Sequence, residues 1–345
     1  DSPRESHSAD LVHKVALSNR TGPSALKSSV LARGRPMQRN LYSKPNGVVR
    51  HEFILGKSGQ GKTEAILSRI AQQIRRGGGC AFVDAKPEDR TETLIHTMAT
   101  IYGRSHDMRV LDLRNPKNSH TYNPILSGNT TQAVSTVGNI FGDDLDASAK
   151  HFKTMMLAAL QPAVGCIKEM NKAFNCQDLL ILLSNPNAMN WLYDNTPPSA
   201  AKTQYNIWMD GYRSERTVGG QTTVQIDMQR LRTQILGGAT ALHTYGVDEL
   251  GEIMNSYSPQ VTWRDTIENN RILYIKLPTM EMREQAIPFA QMMLSDFKAY
   301  VGEMYDKGFK PPVPFLWIGD EFGSWAIAGA EELVEKMRGA GIGGI

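Results

Sequence analysis

Two short stretches hold residues whose types and spacing suit chemistry on a phosphate. The first, Gly56-Lys57-Ser58-Gly59-Gln60-Gly61-Lys62-Thr63, fits G-x-x-x-x-G-K-[ST] at every specified position. Gly56, Gly59 and Gly61 let the backbone turn, so that N–H groups from Ser58 through Gln60 onward converge on phosphate oxygens. A helix beginning near Lys62 adds the positive end of its dipole. Lys62 has the reach for β and γ phosphates, and the hydroxyl of Thr63 suits Mg²⁺. The second stretch is Asp320-Glu321, at the end of the apolar run Phe315-Leu316-Trp317-Ile318. Asp320 would hold Mg²⁺ directly or through water, and Glu321 would orient or deprotonate an attacking water. Together the two stretches predict Mg²⁺-dependent hydrolysis of a nucleoside triphosphate.

Bland readings exist beside these: a surface loop that matches the glycine pattern by chance, and a solvated acidic turn. The flanking residues argue against both, because the loop lies between an apolar segment and an amphipathic one, and the acids follow four apolar residues. The glycine spacing also differs from G-x-G-x-x-G, which disfavours a dinucleotide fold. Asp84 closes a further apolar run in "AFVDAKPED"; it either neighbours the site or caps the next turn.

The elements that must position these groups show as a rhythm. "RHEFILG" reads as a short strand, "KTEAILSRIAQQIRR" as a helix with Ile66, Ile70 and Ile74 on one face, and "CAFVDA" as the next strand after "GGG". "RTETLIHTMATIYG" places Leu94, Ile95, Met98 and Ile101 on a helical face, and "MRVLDL" resumes a strand. Between residues 143 and 262 the pattern is helical with few strand signals, punctuated by "SNPNAMN" and "DNTPPSAAKTQ", which read as loops. "RILYIKL", "EQAIPFAQMMLSDFKAYVGEM" and "VPFLWIGDEF" then restore strand, helix, strand. This predicts an α/β fold with a mostly parallel sheet, split by an all-α insertion: a basic, loosely ordered segment at 1–45, nucleotide-binding parts at 46–142 and 263–345, and the insertion at 143–262.

The whole-chain numbers agree with a globular protein. Hydrophobic residues make up 41% and charged residues 21% of 345, and no run of 18 or more apolar residues could span a bilayer. A net charge of +3 is too small to argue for nucleic acid, but residues 1–50 hold nine Lys/Arg against three Asp/Glu. That arm reads as solvated, or as a contact for anionic lipid or nucleic acid. Cys80, Cys166 and Cys176 form no C-x-x-C pair, which argues against a disulfide framework and a zinc site. With no signal peptide in view, a cytosolic chain is expected, and "GAGIGGI" suggests a fragment ending in a strand.

In this order the motifs resemble the type IV secretion coupling ATPases of the TraD/TraG family. The resemblance rests on "GKSGQGKT", "FVDAKPEDR", "VLDLRNPKNSHTYNPI" with Tyr122-Asn123-Pro124, and "WIGDEFGSW" before a helix ending in "RGAGI", and it covers roughly residues 50–345. It implies a RecA-like P-loop ATPase using ATP and Mg²⁺, with an inserted all-α domain, commonly a hexameric ring at the cytoplasmic face of the bacterial inner membrane. Implied partners are secretion-channel ATPases, inner-membrane components, relaxosome or effector substrates, and single-stranded DNA. It also implies a catalytic role for Arg338 toward a neighbouring subunit's γ-phosphate; the alternative is an ordinary arginine at a helix C-terminus, favoured by the dipole.

Two other functions compete. One is a nucleotide-gated receptor platform with little hydrolysis, and the other is a DNA translocase of the FtsK/HerA type. The Tyr-Asn-Pro segment and the insertion favour secretion over the latter. Trp191, Tyr193, Tyr205, Trp208 and Tyr212 could stack on bases, but packing is the expected role. Met155, Met156, Met292 and Met293 are expected to fill core gaps, and His151 and His243 lack a second ligand at metal spacing.

Overall fold

The computed structural model describes residues 49–56, 60–141, 147–218, 221–327 and 330–345, so the basic segment expected at 1–45 lies outside them. The first part holds α1 (Lys62–Arg75), β1 (Cys80–Asp84), α2 (Asp89–Ile101) and β2 (Met108–Asp112). A helical stretch follows: α3 (Thr130–Gly138), α4 (Ala147–Glu169), α5 (Cys176–Ser184), α6 (Pro186–Asn195) and α7 (Ala200–Asp210). Then come β3 (Arg213–Val218), β4 (Gln221–Ile226), α8 (Met228–Gly246), α9 (Gly251–Met254) and α10 (Trp263–Glu268). The last part is β5 (Ile272–Lys276), α11 (Arg283–Lys307), β6 (Phe315–Gly319), α12 (Ala330–Gly339) and β7 (Ile342–Gly344).

Five strands form one parallel sheet in the order β2-β5-β1-β6-β7. Their side chains alternate between two cores, as the pleat requires. Cys80, Phe82, Ile272, Tyr274, Leu316 and Ile318 meet Ile66, Ile70 and Ile74 of α1 and Ile95 and Met98 of α2 on one face. Ala81, Val83, Leu273, Ile275, Phe315 and Trp317 meet Phe289, Met293 and Phe297 of α11 on the other. Burial on both faces explains why these strands read as continuous apolar runs. The second core runs without a break into the helical stretch, through Met156, Leu160, Leu179 and Leu231. Among the described residues no helix is long and apolar enough to cross a membrane.

Several expectations need correcting. "RHEFILG" forms no strand: residues 51–56 run beside β7, joined by the Glu52 N–H donating to the Gly344 carbonyl at 2.9 Å. The Gly344 N–H turns to His51 Nδ1 at 3.0 Å, so a side chain replaces the next rung. Phe53 and Leu55 stand 84% and 92% exposed there. Ile101 leaves the buried face of α2 and is 51% exposed, because it is the last helical residue before the chain reverses at Gly103 with φ 67°. "SNPNAMN" is mostly helix: the Asn185 side chain accepts from the Asn187 N–H at 2.9 Å and Pro186 occupies the first position of α6, where a missing N–H costs no helical bond. The stretch expected to be all-α contains the antiparallel hairpin β3–β4, with Val218 opposite Gln221. Its sequence signal was Gly219-Gly220 between two stretches rich in Thr and Val.

The Tyr122-Asn123-Pro124 segment ties the sheet region to the helices. The Tyr122 N–H donates to the Ile253 carbonyl at 2.9 Å, and Asn123 Nδ2 donates to the carbonyls of Phe174 and Ser256 at 2.9 and 3.0 Å. The buried Tyr122 hydroxyl donates to Asp296 Oδ2 of α11 at 2.7 Å. Burial pushes the Asp296 carboxyl up to about 7 from 3.8, while the Tyr122 and Ser127 hydroxyls pull the other way. Between those two values the folded chain binds more protons than the unfolded one. This group's contribution is therefore fully present below about pH 4 and lost as pH rises to about 7. Asp296→Asn should remove that slope, at most about 1.4 kcal/mol per pH unit, in urea midpoints taken from pH 4 to 8. Identical slopes in both proteins would contradict it.

Candidate functional site

The C-terminal ends of the parallel strands gather the charged residues, as the loops leaving an α/β sheet commonly do. Gly61 caps α1 in the left-handed conformation, φ 82° and ψ 19°, a backbone state that glycine adopts without a Cβ penalty. Helix hydrogen bonding starts at once, with the Ala65 N–H on the Gly61 carbonyl at 3.0 Å. Lys62 follows in the first turn, and its ammonium donates to the Gly56 carbonyl at 2.7 Å, closing the loop across its two ends. Gln60, Gly61 and Thr63 are exposed at the helix start, where the dipole is positive. Lys57, Ser58 and Gly59 lie outside the described residues.

Asp320 and Glu321 leave β6 beside the end of β1, with the Asp320 N–H donating to the Val83 carbonyl at 2.9 Å. Burial raises the Asp320 pKa, with the neighbouring Glu321 charge adding to the rise and the ammonium groups of Lys62 and Lys86 opposing it. Lys62 at the start of α1 and the acid that follows β6 thus lie near enough for their charges to act on each other. Aromatic packing fixes the turn: Trp325 Nε1 donates to the Asp320 carbonyl at 3.0 Å, and its ring packs on Trp317 and Phe322 at centroid distances of 5.9 and 5.0 Å. Glu321 sits in the left-handed region at φ 48° and ψ 36°. Its carbonyl accepts from the N–H and the hydroxyl of Ser324, both at 2.8 Å.

Asp84 does both things that the sequence left open. It ends β1 near enough to Asp320 to feel its charge, and it caps a turn by accepting from the Lys86 N–H at 3.0 Å. The Tyr274 hydroxyl donates to its other oxygen at 2.8 Å, and burial raises its pKa. Two lysines at this edge were missed. The Lys86 ammonium pairs with the Glu321 carboxylate. Lys276, buried at the end of β5, lies 2.9 Å from Asp112 and 2.5 Å from Glu92. Burial works against the Lys276 charge, yet those carboxylates outweigh it and raise its pKa. For Lys86 the only signal was its place two residues after Asp84.

Arg338 is not brought to this edge. It lies in the last turn of α12, level with Gly341, whose carbonyl accepts from the Phe315 N–H at the start of β6. Asp320 is five residues further along, about 16 Å at strand rise. Exposed there, Arg338 helps lower the pKa of His51, for which burial is the main cause. The insertion's aromatics largely pack: Tyr205 stacks on Trp208 at 5.6 Å, Trp208 meets Tyr212 at 5.3 Å, and Lys202 lies over Tyr193 at 4.7 Å. Trp191 is the exception at 54% exposed. Among the described residues no group of three or more His, Cys, Asp or Glu could hold a metal ion. Thr63 and Asp320, one hydroxyl and one carboxylate, are hard oxygen donors of the kind that hold Mg²⁺ together with phosphate oxygens.

No protein-family model matches the chain. It is 22% identical over 346 residues to the type 4 coupling protein DotL of Legionella pneumophila, across 86% of this chain and 43% of DotL. It therefore spans less than half the length of that relative. Its fold is similar to that of the plasmid coupling protein TrwB. With TrwB in complex with the non-hydrolysable ATP analogue ADPNP the TM-score is 0.54 at 13% identity, over 94% of this chain and 70% of that one. With TrwB in complex with ADP and Mg²⁺ it is 0.51 at 14% identity, over the same shares of 94% and 70%. The architecture is thus the RecA-like P-loop α/β fold, and in sequence and fold the chain is similar to type IV coupling proteins.

Proposed function

We propose, from this likeness to type IV coupling proteins, that the chain is the ATP-hydrolysing core of such a protein, driving DNA or protein substrates into a secretion or conjugation channel. The observation that carries the reading is a helix start and an acidic pair on one side of the sheet: Lys62 opens α1 behind the left-handed Gly61, and Asp320, 258 residues later and held to the Val83 carbonyl at the end of β1, lies near enough to interact with its charge. The amides at the start of α1 and the Lys62 ammonium hold the β and γ phosphates, Lys62 leaving the Gly56 carbonyl to do so. Thr63 and Asp320 hold Mg²⁺, which supplies charge neutralisation to the phosphates when bound. Glu321 takes a proton from the attacking water. Residues 143–262 serve as the inserted domain that meets substrates.

Arg338, at the opposite sheet edge, has no role within its own subunit's site. In a ring at the cytoplasmic face of the inner membrane it reaches a neighbour's γ-phosphate, as an arginine supplied in trans. Channel ATPases, inner-membrane components and relaxosome or effector substrates are the partners this role requires.

Steady-state phosphate release with ATP and Mg²⁺ tests the reading. Glu321→Gln is expected to lower kcat by about 100-fold or more while leaving nucleotide affinity near the wild-type value. Equal turnover in both proteins would remove the assignment.

A further inference from the structure

The Glu321 backbone is held in an unusual state. Among the described residues the other non-glycine positions at positive φ are Asn171 and Asn270, and asparagine tolerates that region far better than glutamate. The Ser324 bonds to the Glu321 carbonyl and the Trp325 bond to the Asp320 carbonyl fix this turn from behind. They leave the Glu321 carboxylate pointed at the loop after β1, where the Lys86 ammonium donates to its Oε1. Lys86 is itself set in place by its N–H on Asp84 Oδ1 at 3.0 Å, and Asp84 by the Tyr274 hydroxyl at 2.8 Å. Both backbones are thus anchored while both side chains stand exposed, at 53% and 41%.

We infer that Lys86 is a positioning residue that holds the Glu321 carboxylate out of use as a base until a nucleoside triphosphate arrives; this rests on the hydrolytic reading above. A carboxylate oxygen engaged by an ammonium is a poorer proton acceptor, and a base must have a free oxygen within reach of water. Without ligand, Lys86 also compensates the repulsion between Asp320 and Glu321. With a triphosphate bound, a divalent cation on Asp320 would share that compensation and the γ-phosphate would compete for Lys86, so the latch opens for only part of each cycle and its release limits kcat. An exposed ion pair is weak enough to be exchanged in this way. Hydrolysis then balances simply: water oxygen bonds to the γ-phosphorus, the bond to the β,γ-bridging oxygen breaks, ADP leaves, and Glu321 receives the water proton.

The test compares phosphate release by the wild type, Lys86→Ala, Lys86→Arg, Glu321→Gln and the double variant Lys86→Ala/Glu321→Gln. Lys86→Ala is expected to raise kcat about 3-fold or more with KM within about 2-fold, and Lys86→Arg to stay near wild type. The double variant should show no rise over Glu321→Gln. If Glu321→Gln lowers turnover but Lys86→Ala does not raise it, or raises it equally without Glu321, the latch is wrong and the hydrolytic reading stands. If Glu321→Gln changes nothing, both fall. A second readout is independent of turnover: NMR titration of ¹³C-labelled lysine without nucleotide. The Lys86 pKa should be higher in wild type than in Glu321→Gln, and its resonance should shift on adding ADPNP with Mg²⁺. Equal pKa values, or a resonance that ignores the analogue, would overturn the latch.

Discussion

Lys62→Ala is expected to weaken ATP binding by about 100-fold, the loss that follows from removing one strong charge-assisted hydrogen bond. The side chain spans the loop from the first turn of α1 to the Gly56 carbonyl, at 2.7 Å. That bond is exposed, so water replaces the ammonium on the carbonyl when the side chain is cut back. The apolar face of α1, built on Ile66, Ile70 and Ile74, is untouched. Fold stability without nucleotide should therefore stay within about 0.5 kcal/mol of wild type. With Mg-ATP at a hundred times the wild-type Kd, the wild type gains about 2.7 kcal/mol from linkage, and the variant should gain little. Calorimetric titration and melting curves with and without nucleotide check both halves. An unchanged Kd would mean that the loop does not grip phosphate.

Trp325→Ala should be the most destabilising single change near the site, costing about 3–5 kcal/mol. The residue is fully buried and packs in one cluster with Trp317 and Phe322. Trp317 in turn stacks on Phe297 of α11 at 5.8 Å, so the cavity would open between the sheet and its covering helix. The lost N–H also leaves the Asp320 carbonyl without its donor. Trp325→Phe separates the two effects: it keeps most of the packing, loses about 1 kcal/mol for the hydrogen bond, and loosens the turn that aims Glu321. Turnover should then fall more than stability does. Trp191→Ala is the control, because an exposed tryptophan removed from the surface should move stability by no more than about 0.5 kcal/mol. Urea unfolding of the three variants measures this, and equal losses for Trp325→Ala and Trp191→Ala would show that the cluster does not hold the turn.

The sequence by itself determined whatever depends on near neighbours. The glycine pattern around Lys62 dictates a turn into a helix N-terminus, and the spacing of Ile66, Ile70 and Ile74 fixes which face of that helix is buried, because both follow from local backbone geometry. The apolar runs ending in Asp84 and Asp320 marked buried parallel strands delivering carboxylates to one edge, since only burial on both faces tolerates such runs. Where local signals were weak or read too quickly, the expectations failed. Residues 51–56 look like a strand, but strand status needs a ladder, and one side chain on Gly344 interrupts it. Pro186 looks like a breaker but starts a helix, because the first helical position needs no N–H.

Only the tertiary structure decided who faces whom. Lys86 and Glu321 are 235 positions apart and meet because β1 and β6 are neighbours, an order set by non-local packing that no window of sequence contains. The same holds for the Tyr122 hydroxyl on Asp296, 174 positions away, a clasp between a segment legible only as a motif and a carboxyl of α11 whose pKa is raised by burial. Arg338 shows the same dependence on chain direction: α12 runs back along the sheet and carries it to the far edge, away from its own subunit's Asp320 and Glu321. A helix that returns antiparallel to its strand separates the residues at its end from those at its start, and so the direction of α12, more than its composition, determines where that arginine can act.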